Sequence, residues 1–455
     1  MTGPPSAPSE TVGTAYCAGC GRPAGEGEHA DCRRRQGATD PPRFCVFCGR
    51  KLVVQVLPRR WRARCVKCGE LPPSTAADAE LASLRAAGLH RRRALLESAL
   101  GARVRIDGRE ALLLCANDYL GLAGDPRLRA AAAEAASRWG AGAGASPLVC
   151  GHTALHEQLE RQLASLKGFE RCLLFGSGYL ANTGVIPALA GPGEVILSDR
   201  LNHASIVDGC RLARAETIIY EHCDLDSLAA GLRRAGQRRA LIVTDAVFSM
   251  DGDLAPLAGI VELARAHGAR VLVDEAHATG VLGPGGRGLV AALGLEREVD
   301  VVIGTLGKAL GSYGAFACCG ATLAEYLLNR ARTLIFSTAL PPPAVGAALA
   351  ALELMRAEPA LLARLRANAD LLRAELARHG LRPPAGETPI IPLIVGRPEA
   401  ALRASERALA DGVFVQAIRP PTVPEGTSRL RAVASAAHTE EELRRGAAVL
   451  ARALG

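Results

Sequence analysis

The 455-residue sequence predicts an α/β protein: a largely parallel sheet covered by helices, a smaller C-terminal α+β domain and an N-terminal Cys-rich module. Three observations predict this. Between residues 110 and 335, short runs that are apolar throughout alternate with helical patterns, as expected of strands buried on both faces. Across Leu71-Pro-Pro-Ser74 the composition shifts from Cys- and Arg-rich to Ala- and Leu-rich. Beyond Pro341-Pro-Pro343 a long helical stretch leads to three more strand-like runs. The domains expected are 1–72 for the Cys-rich module, 73–109 for a helix and arm, 110–340 for the large domain and 341–455 for the small one.

Taken in order, Thr75-Ala-Ala-Asp78 resembles a capping box, and an amphipathic helical run follows from Leu81 to Leu100. Seven apolar runs then read as strands: Ala111 to Cys115, Cys172 to Phe175, Glu194 to Leu197, Leu241 to Thr244, Arg270 to Val273, Val299 to Ile303 and Ala315 to Cys318. In the small domain the strands are Ile390 to Val395, Val413 to Gln416 and Arg429 to Val433, with helices between and after. No internal repeat and no heptad array is visible.

With 49% apolar residues the chain can fill several cores. Met1 to Glu10 lack the basic start and apolar centre of a secretory signal, and no run approaches the ~20 apolar residues of a membrane helix. A cytoplasmic protein is expected. Residues 1–70 hold twelve Lys or Arg against six Asp or Glu, so most of the formal charge of +8 lies there and the rest is near neutral. A general polyanion-binding role for the large part is therefore unsupported. Cysteine is equally uneven, with seven of fourteen in those 70 residues. The scattered remainder, Cys115, Cys150, Cys172, Cys210, Cys223, Cys318 and Cys319, reads as small buried residues in a reducing compartment.

Only four lysines occur, and only Lys167 and Lys308 lie beyond the Cys-rich segment. A lysine amine can lose its proton at accessible pH, as imine formation and proton abstraction require, whereas an arginine cannot. Lys308 follows an apolar strand among Gly304, Gly307 and Gly311, where little bulk would crowd a bound ring. Lys167 ends a helical run and has no such setting. Asp274 closes Val271-Leu-Val, at the sheet edge where α/β proteins bind ligands, and a carboxylate there can pair with the pyridinium nitrogen of pyridoxal 5′-phosphate (PLP). Taken alone it reads equally as a turn cap. His277 could bond the cofactor's phenolic oxygen, or be a buried imidazole satisfied by its neighbours. Gly176-Ser-Gly-Tyr179 opens a helix and so offers a phosphate cradle, a weak signal by itself. Asn202-His203-Ala-Ser205 offers an imidazole to stack on a flat ring, or simply a helix cap. Gly283-Pro-Gly-Gly-Arg-Gly288 matches GxGxxG in form but opens no βαβ unit, so dinucleotide binding is set aside.

Together, Asn117-Asp-Tyr-Leu-Gly121, Gly176-Ser-Gly-Tyr179, Leu201-Asn-His203-Ala-Ser205, Phe248-Ser249-Met-Asp-Gly252, Asp274-Glu-Ala-His277, Thr305-Leu-Gly-Lys308 and Arg419-Pro-Pro-Thr422 with Arg429-Leu-Arg431 resemble the α-oxoamine synthase family from about residue 80 to the end. The resemblance implies a PLP-dependent fold-type I enzyme with a seven-stranded sheet, acting as a homodimer. It implies Lys308 as Schiff-base lysine and proton carrier, Asp274 on the pyridinium nitrogen, His203 over the ring, and His277 and Ser249 at the phenolic oxygen. Gly178, Tyr179 and Thr305 become cofactor contacts, and Ser337 and Thr338 the segment reaching the partner subunit's phosphate. Arg431 and Asn117 would hold the amino-acid carboxylate, with neighbouring Arg429 either a surface arginine or the true clamp. Arg91 and Thr422 match positions facing the acyl substrate. The implied activity is a decarboxylative condensation of an amino acid with an acyl thioester. Residues 417–431 and 248–253 most resemble the branch that joins L-alanine to a pimeloyl thioester, on coenzyme A or acyl carrier protein, in biotin synthesis. The alternatives are the glycine- and serine-using branches, and a catalytically dead scaffold, against which Lys308 and Asp274 both stand.

At the N-terminus, Cys45-Val-Phe-Cys48 and Cys65-Val-Lys-Cys68 form two CxxC pairs, with Cys17-Ala-Gly-Cys20 and Cys32 upstream as further candidates. Two such pairs place four thiolates around one site, which zinc or an iron–sulfur cluster can fill. Residues 15–70 resemble the small actinobacterial biotin synthase auxiliary proteins, which implies an iron–sulfur cluster and biotin synthase as a partner. The competing reading is a zinc ribbon that binds a protein partner, or nucleic acid through Arg33-Arg-Arg35 and Arg59-Arg60, unless those arginines are only a solvated face.

Overall fold

A computed structural model of the chain describes residues 16–23, 25, 29, 32, 42–57, 60–71 and 75–455. The start of the chain at 1–10, the boundary at 72–74 and the arginines at 33–35 and 59 lie outside the described residues. The chain forms two compact units, divided between Arg93 and Ala94.

In the first unit three short strands, β1 (Val53–Leu57), β2 (Arg60–Cys65) and β3 (Gly69–Leu71), form an antiparallel meander in that order. Among the described residues its buried core is Cys45, Leu52, Ala63 and Cys65. A helix follows at Thr75–Ala86. It is shorter than the periodicity from Leu81 to Leu100 suggests. The peptides of Gly88 and Leu89 turn back onto the carbonyls of Arg85 and Leu84, and the three charged side chains of Arg91, Arg92 and Arg93 interrupt any apolar stripe.

The second unit opens with a hairpin of β4 (Arg103–Ile106) and β5 (Arg109–Leu113). The large sheet comprises β6 (Arg171–Phe175), β7 (Val195–Asp199), β8 (Glu216–Tyr220), β9 (Ala240–Asp245), β10 (Arg270–Asp274), β11 (Val301–Thr305) and β12 (Ala315–Cys319), in the spatial order β6-β12-β11-β10-β9-β7-β8. The β8, β7, β9, β10 and β11 pairings are all parallel, and β12 runs antiparallel to both its neighbours. Alternate residues feed two separate cores. Ile242, Val271, Val273 and Val302 belong to one, while Leu241, Val243, Leu272, Val301 and Ile303 belong to the other. Both faces are therefore dry, which is why these strands read as unbroken apolar runs.

Two strands differ from the sequence reading. The run at 111–115 belongs to another sheet, since β5 pairs with β4 and with β14 (Val413–Phe414). Its place in the seven-stranded sheet is taken by β8 at the edge, whose partly exposed Glu216-Thr-Ile-Ile-Tyr220 lacks a continuous apolar signature. The C-terminal part of the chain adds an antiparallel sheet of β13 (Ile390–Gly396), β16 (Ser428–Val433) and β15 (Gln416–Ile418), in that spatial order.

Candidate active site

Parallel strands bring their C-terminal ends to one edge, and here those ends are polar: Asp199 closes β7, Asp245 closes β9, Asp274 closes β10 and Thr305 closes β11. Asp274 and Asp245 are register partners, both buried. Asn182 Nδ2 donates to Asp274 Oδ2 at 2.6 Å and the Ala276 peptide to Oδ1 at 2.8 Å, so both carboxylate oxygens are held. Asp245 accepts the His203 peptide at 2.7 Å. Burial, then the charge of Asp274, pushes the Asp245 carboxyl well above the usual range.

Lys308 follows β11 in the turn to β12, and its amine lies 2.7 Å from His277 Nε2. His277 Nδ1 lies 2.6 Å from the Tyr119 hydroxyl, which is 3.3 Å from Asn117 Oδ1, itself 3.0 Å from Arg431 Nη1. These contacts form one continuous chain whose two ends meet at Asn117 Oδ1, which accepts from Tyr119 on one side and from Arg431 on the other. Burial, then the Lys308 and Arg431 charges, holds His277 well below its ordinary pKa, so the imidazole is neutral and has one donor and one acceptor nitrogen. With the Lys308 ammonium donating to Nε2, Nδ1 donates to Tyr119 and Tyr119 donates to Asn117. Burial lowers Lys308 to about 8 against the opposing pull of Asp274 and Asp245, so that a fraction of the amine is neutral near neutral pH while the ammonium still predominates. His203 Nδ1 lies 2.7 Å from Ser205 Oγ, and burial lowers this imidazole too, against Asp274.

The structure thus brings together Lys308, Asp274, His277, Asn117 and Arg431, with His203 beside Asp245. The two arginines of β16 separate cleanly. Arg429 is buried against Asp251, with Nη1 3.2 Å from the Met250 carbonyl, whereas Arg431 reaches Asn117 and, through Nε, the Ser249 carbonyl at 2.5 Å. Arg429 is no surface arginine, and its charge is already matched. The Thr305 hydroxyl closes its own turn on the Gly314 carbonyl, 3.0 Å away. Gly178 opens the helix Gly178–Leu189, and Tyr179 turns its hydroxyl to Asp208. Ser337 and Thr338 line a cavity of about 320 Å³ with Gly176, His152 and His156. Thr422 is exposed in the loop after β15, and Arg91 belongs to the first unit.

Three participants escaped the sequence reading. Asp245 closes an apolar run just as Asp274 does, so the same rule would have found it. Tyr119 lies inside the Asn117 motif, and a fully buried tyrosine needs a partner for its hydroxyl. Asn182, mid-helix, gives no comparable signal. Lys167, which has no obvious setting in the sequence, is buried and bonded to Glu275 at 2.5 Å and to the Arg287 carbonyl at 2.7 Å. The glycine-rich loop acquires a meaning here. At Gly288, where φ is +105°, a Cβ would fall 2.1 Å from the Glu275 carboxylate.

The donor set fits PLP. It offers a buried carboxylate for a ring nitrogen, an amine of lowered pKa for an aldehyde, imidazoles for the ring and its phenolic oxygen, and a helix N-terminus for a phosphate.

In the first unit the ligand atoms of Cys45, Cys48, Cys65 and Cys68 lie within 4.8 Å of one another, as do those of Cys17, Cys20, His29 and Cys32. His29 was not among the residues singled out from the sequence. The Cys68 peptide lowers the Cys65 thiol to about 6, and the Arg22 peptide lowers Cys20 to about 7.

Residues 109–450 match the family described as aminotransferase class I and II. The chain is 54% identical over 376 residues to the 8-amino-7-oxononanoate synthase of Anaeromyxobacter dehalogenans strain 2CP-1, covering 83% of this chain and 94% of that protein. It is 50% identical to the Geobacter sulfurreducens protein of the same name, covering 82% and 96%. Among solved structures, a serine palmitoyltransferase of S. paucimobilis with a bound PLP–myriocin aldimine superposes with a TM-score of 0.79 at 32% identity, covering 83% of this chain and 96% of that one. The 8-amino-7-oxononanoate synthase of Francisella tularensis gives 0.66 at 26% identity, covering 75% and 97%.

Proposed function

The chain belongs to the aminotransferase class I and II family, and from that membership and its site we infer that it is a PLP-dependent 8-amino-7-oxononanoate synthase, condensing L-alanine with a pimeloyl thioester in biotin synthesis. The observation that carries this reading is the hydrogen-bonded chain from Lys308 through His277 and Tyr119 to Asn117 and Arg431. It sets a candidate carboxylate clamp one short relay from an amine able to take a proton.

Lys308, Asp274, His203, His277, Ser249, Gly178, Tyr179 and Thr305 would hold PLP, which when bound supplies the electron sink that acidifies the amino acid's α-C–H bond. Arg431 fixes the substrate carboxylate with its forked guanidinium, helped by Asn117. Lys308 Nζ takes the α-proton, and its lowered pKa suits an acid and base working near neutral pH. His277, neutral and held by Tyr119, orients that amine. Thr422 would face the acyl chain. Ser337 and Thr338 would serve the site of a second subunit in a homodimer. Supporting a dimer, Leu148, Val149, Tyr313 and Phe336 are each more than half exposed, apolar surface that a single subunit leaves to water.

In the first unit, Cys45, Cys48, Cys65 and Cys68 would hold a metal ion or an iron–sulfur cluster. A role beside biotin synthase rests on the resemblance of residues 15–70. Cytoplasmic residence suits this reading, since none of the fourteen cysteines is paired in a disulfide.

The test is release of free thiol from pimeloyl and short-chain thioesters with alanine, glycine or serine. Alanine with the pimeloyl donor should be preferred. Preference for glycine with an acetyl donor would overturn the assignment.

A further inference from the structure

The first unit contains one loop built twice. Tyr16-Cys-Ala-Gly-Cys-Gly-Arg22 and Phe44-Cys-Val-Phe-Cys-Gly-Arg50 share an aromatic residue, a CxxC pair, a glycine and an arginine. Their backbones bond alike: Cys17 N donates to Arg22 O at 2.8 Å and Cys45 N to Arg50 O at 2.7 Å, while Gly21 N reaches Cys17 O and Gly49 N reaches Cys45 O, both at 2.8 Å. This corrects the expectation that the chain holds no internal repeat. With only four of seven positions in common, the copies are hard to see in sequence.

The copies also clasp each other reciprocally. Tyr16 N donates to Val46 O and Phe44 N to Ala18 O. At Gly21, where φ is +75°, a Cβ would strike Gly49 O and the Phe44 ring; at Gly49, where φ is +68°, it would strike Gly21 O and the Tyr16 ring. The Phe44 loop carries half of the Cys45, Cys48, Cys65 and Cys68 group. The Tyr16 loop carries the equivalent half of a second group, completed by His29 and Cys32.

We propose that Cys17, Cys20, His29 and Cys32 form a second metal site, and that the unit holds two separate zinc ions, one in a Cys₃His and one in a Cys₄ environment. The proposal rests on the reading of this unit as metal-binding and is independent of any role beside biotin synthase. Cys20 Sγ and His29 Nδ1 are 3.4 Å apart, and one zinc with Zn–S of ~2.3 Å and Zn–N of ~2.0–2.1 Å separates two such tetrahedral ligands by about 3.5 Å. His29 is buried, and its Nε2 lies 3.1 Å from the Pro23 carbonyl. Donation from Nε2 to that carbonyl leaves the Nδ1 lone pair facing the thiols, as in many metal-binding histidines. In the Cys₄ group, Cys48 Sγ and Cys65 Sγ are 3.5 Å apart. A multi-iron cluster attaches its thiolates to separate irons and spreads them further, whereas ligand atoms all within 4.8 Å converge on one ion. Among the described residues the unit buries only Cys45, Leu52, Ala63 and Cys65 as apolar core, and zinc binding supplies folding free energy directly.

The test counts metal in the full-length protein purified without chelator, normalised to bound PLP so that only folded chains are scored. Two zinc per PLP are expected, falling to about one in His29→Ala. His29→Cys should keep two ions, and its cobalt-substituted form should gain thiolate charge-transfer intensity. One zinc that His29→Ala retains and Cys65→Ser loses would overturn the second site and leave the first. Iron with acid-labile sulfide, or no metal, would overturn both.

Discussion

Lys167 and Glu275 form an ion pair, Nζ to Oε2 at 2.5 Å, in which neither side chain meets solvent. Glu275 follows Asp274 directly, and its second oxygen accepts the Val290 peptide at 2.7 Å. Lys167 therefore anchors the segment carrying Asp274 and His277 from behind. Breaking a buried pair by removing one partner strands a charge, at a cost of about 3–5 kcal/mol. Lys167→Met should lower the urea midpoint accordingly, and adding Glu275→Leu should recover part of the loss. An unchanged midpoint in Lys167→Met would show that the pair holds nothing.

Arg431 and Arg429 share a strand face but have different partners. Losing a hydrogen bond to a charged group costs about 1.5–3 kcal/mol, so Arg431→Gln should lower kcat/KM for alanine about 10- to 150-fold. Arg429→Gln should instead reduce stability, since it strips Asp251 of its partner, and leave the KM for alanine nearly unchanged. Steady-state kinetics beside urea melts distinguish the two, and equal kinetic losses would refute the division of labour.

Lys308 carries a pKa lowered to about 8, mainly by burial. Capture of PLP needs the neutral amine, so its rate in the cofactor-free protein should rise with a midpoint near pH 8. Asp274→Asn should shift that midpoint downward, because the Asp274 charge is the main influence favouring the ammonium. Stopped-flow absorbance reads both, and Lys308→Ala should abolish the signal altogether. A midpoint near the ordinary lysine value would contradict the burial argument.

His222 bridges Asp199 at 2.9 Å and Asp253 at 2.7 Å, and these two carboxylates raise it from 6.5 to about 12. The folded protein thus keeps a proton that the unfolded chain gives up above pH 6.5. The stabilisation is fully present below pH 6.5 and is lost progressively as pH rises toward 12. His222→Asn should be costlier at pH 6 than at pH 9 in equilibrium unfolding. An equal cost at both would mean that the imidazole is neutral in the fold.

How far the sequence could be read depended on whether a residue announces its surroundings. The doubly buried strands did, because both faces need apolar side chains, and edge strand β8 did not. Asp274 and Lys308 stood out at strand ends among small residues. Tyr119 and Asn182 act through contacts made by chain segments far apart in sequence, which no local pattern encodes. Arg429 and Arg431 were indistinguishable two residues apart until the strand's partners, Asp251 for one and Asn117 for the other, were in place. His29 lies outside any CxxC pair, so only the fold brings its ring to Cys20.

Gly288 has no room for a side chain because the Glu275 carboxylate occupies that space, and Glu275 is held there by Lys167. The three positions therefore form a single unit of inheritance. A lineage that replaced the lysine with an apolar residue would be released from the acid as well, and only then free to place a side chain at 288. Across homologues, change at any one of these positions should be accompanied by change at the other two.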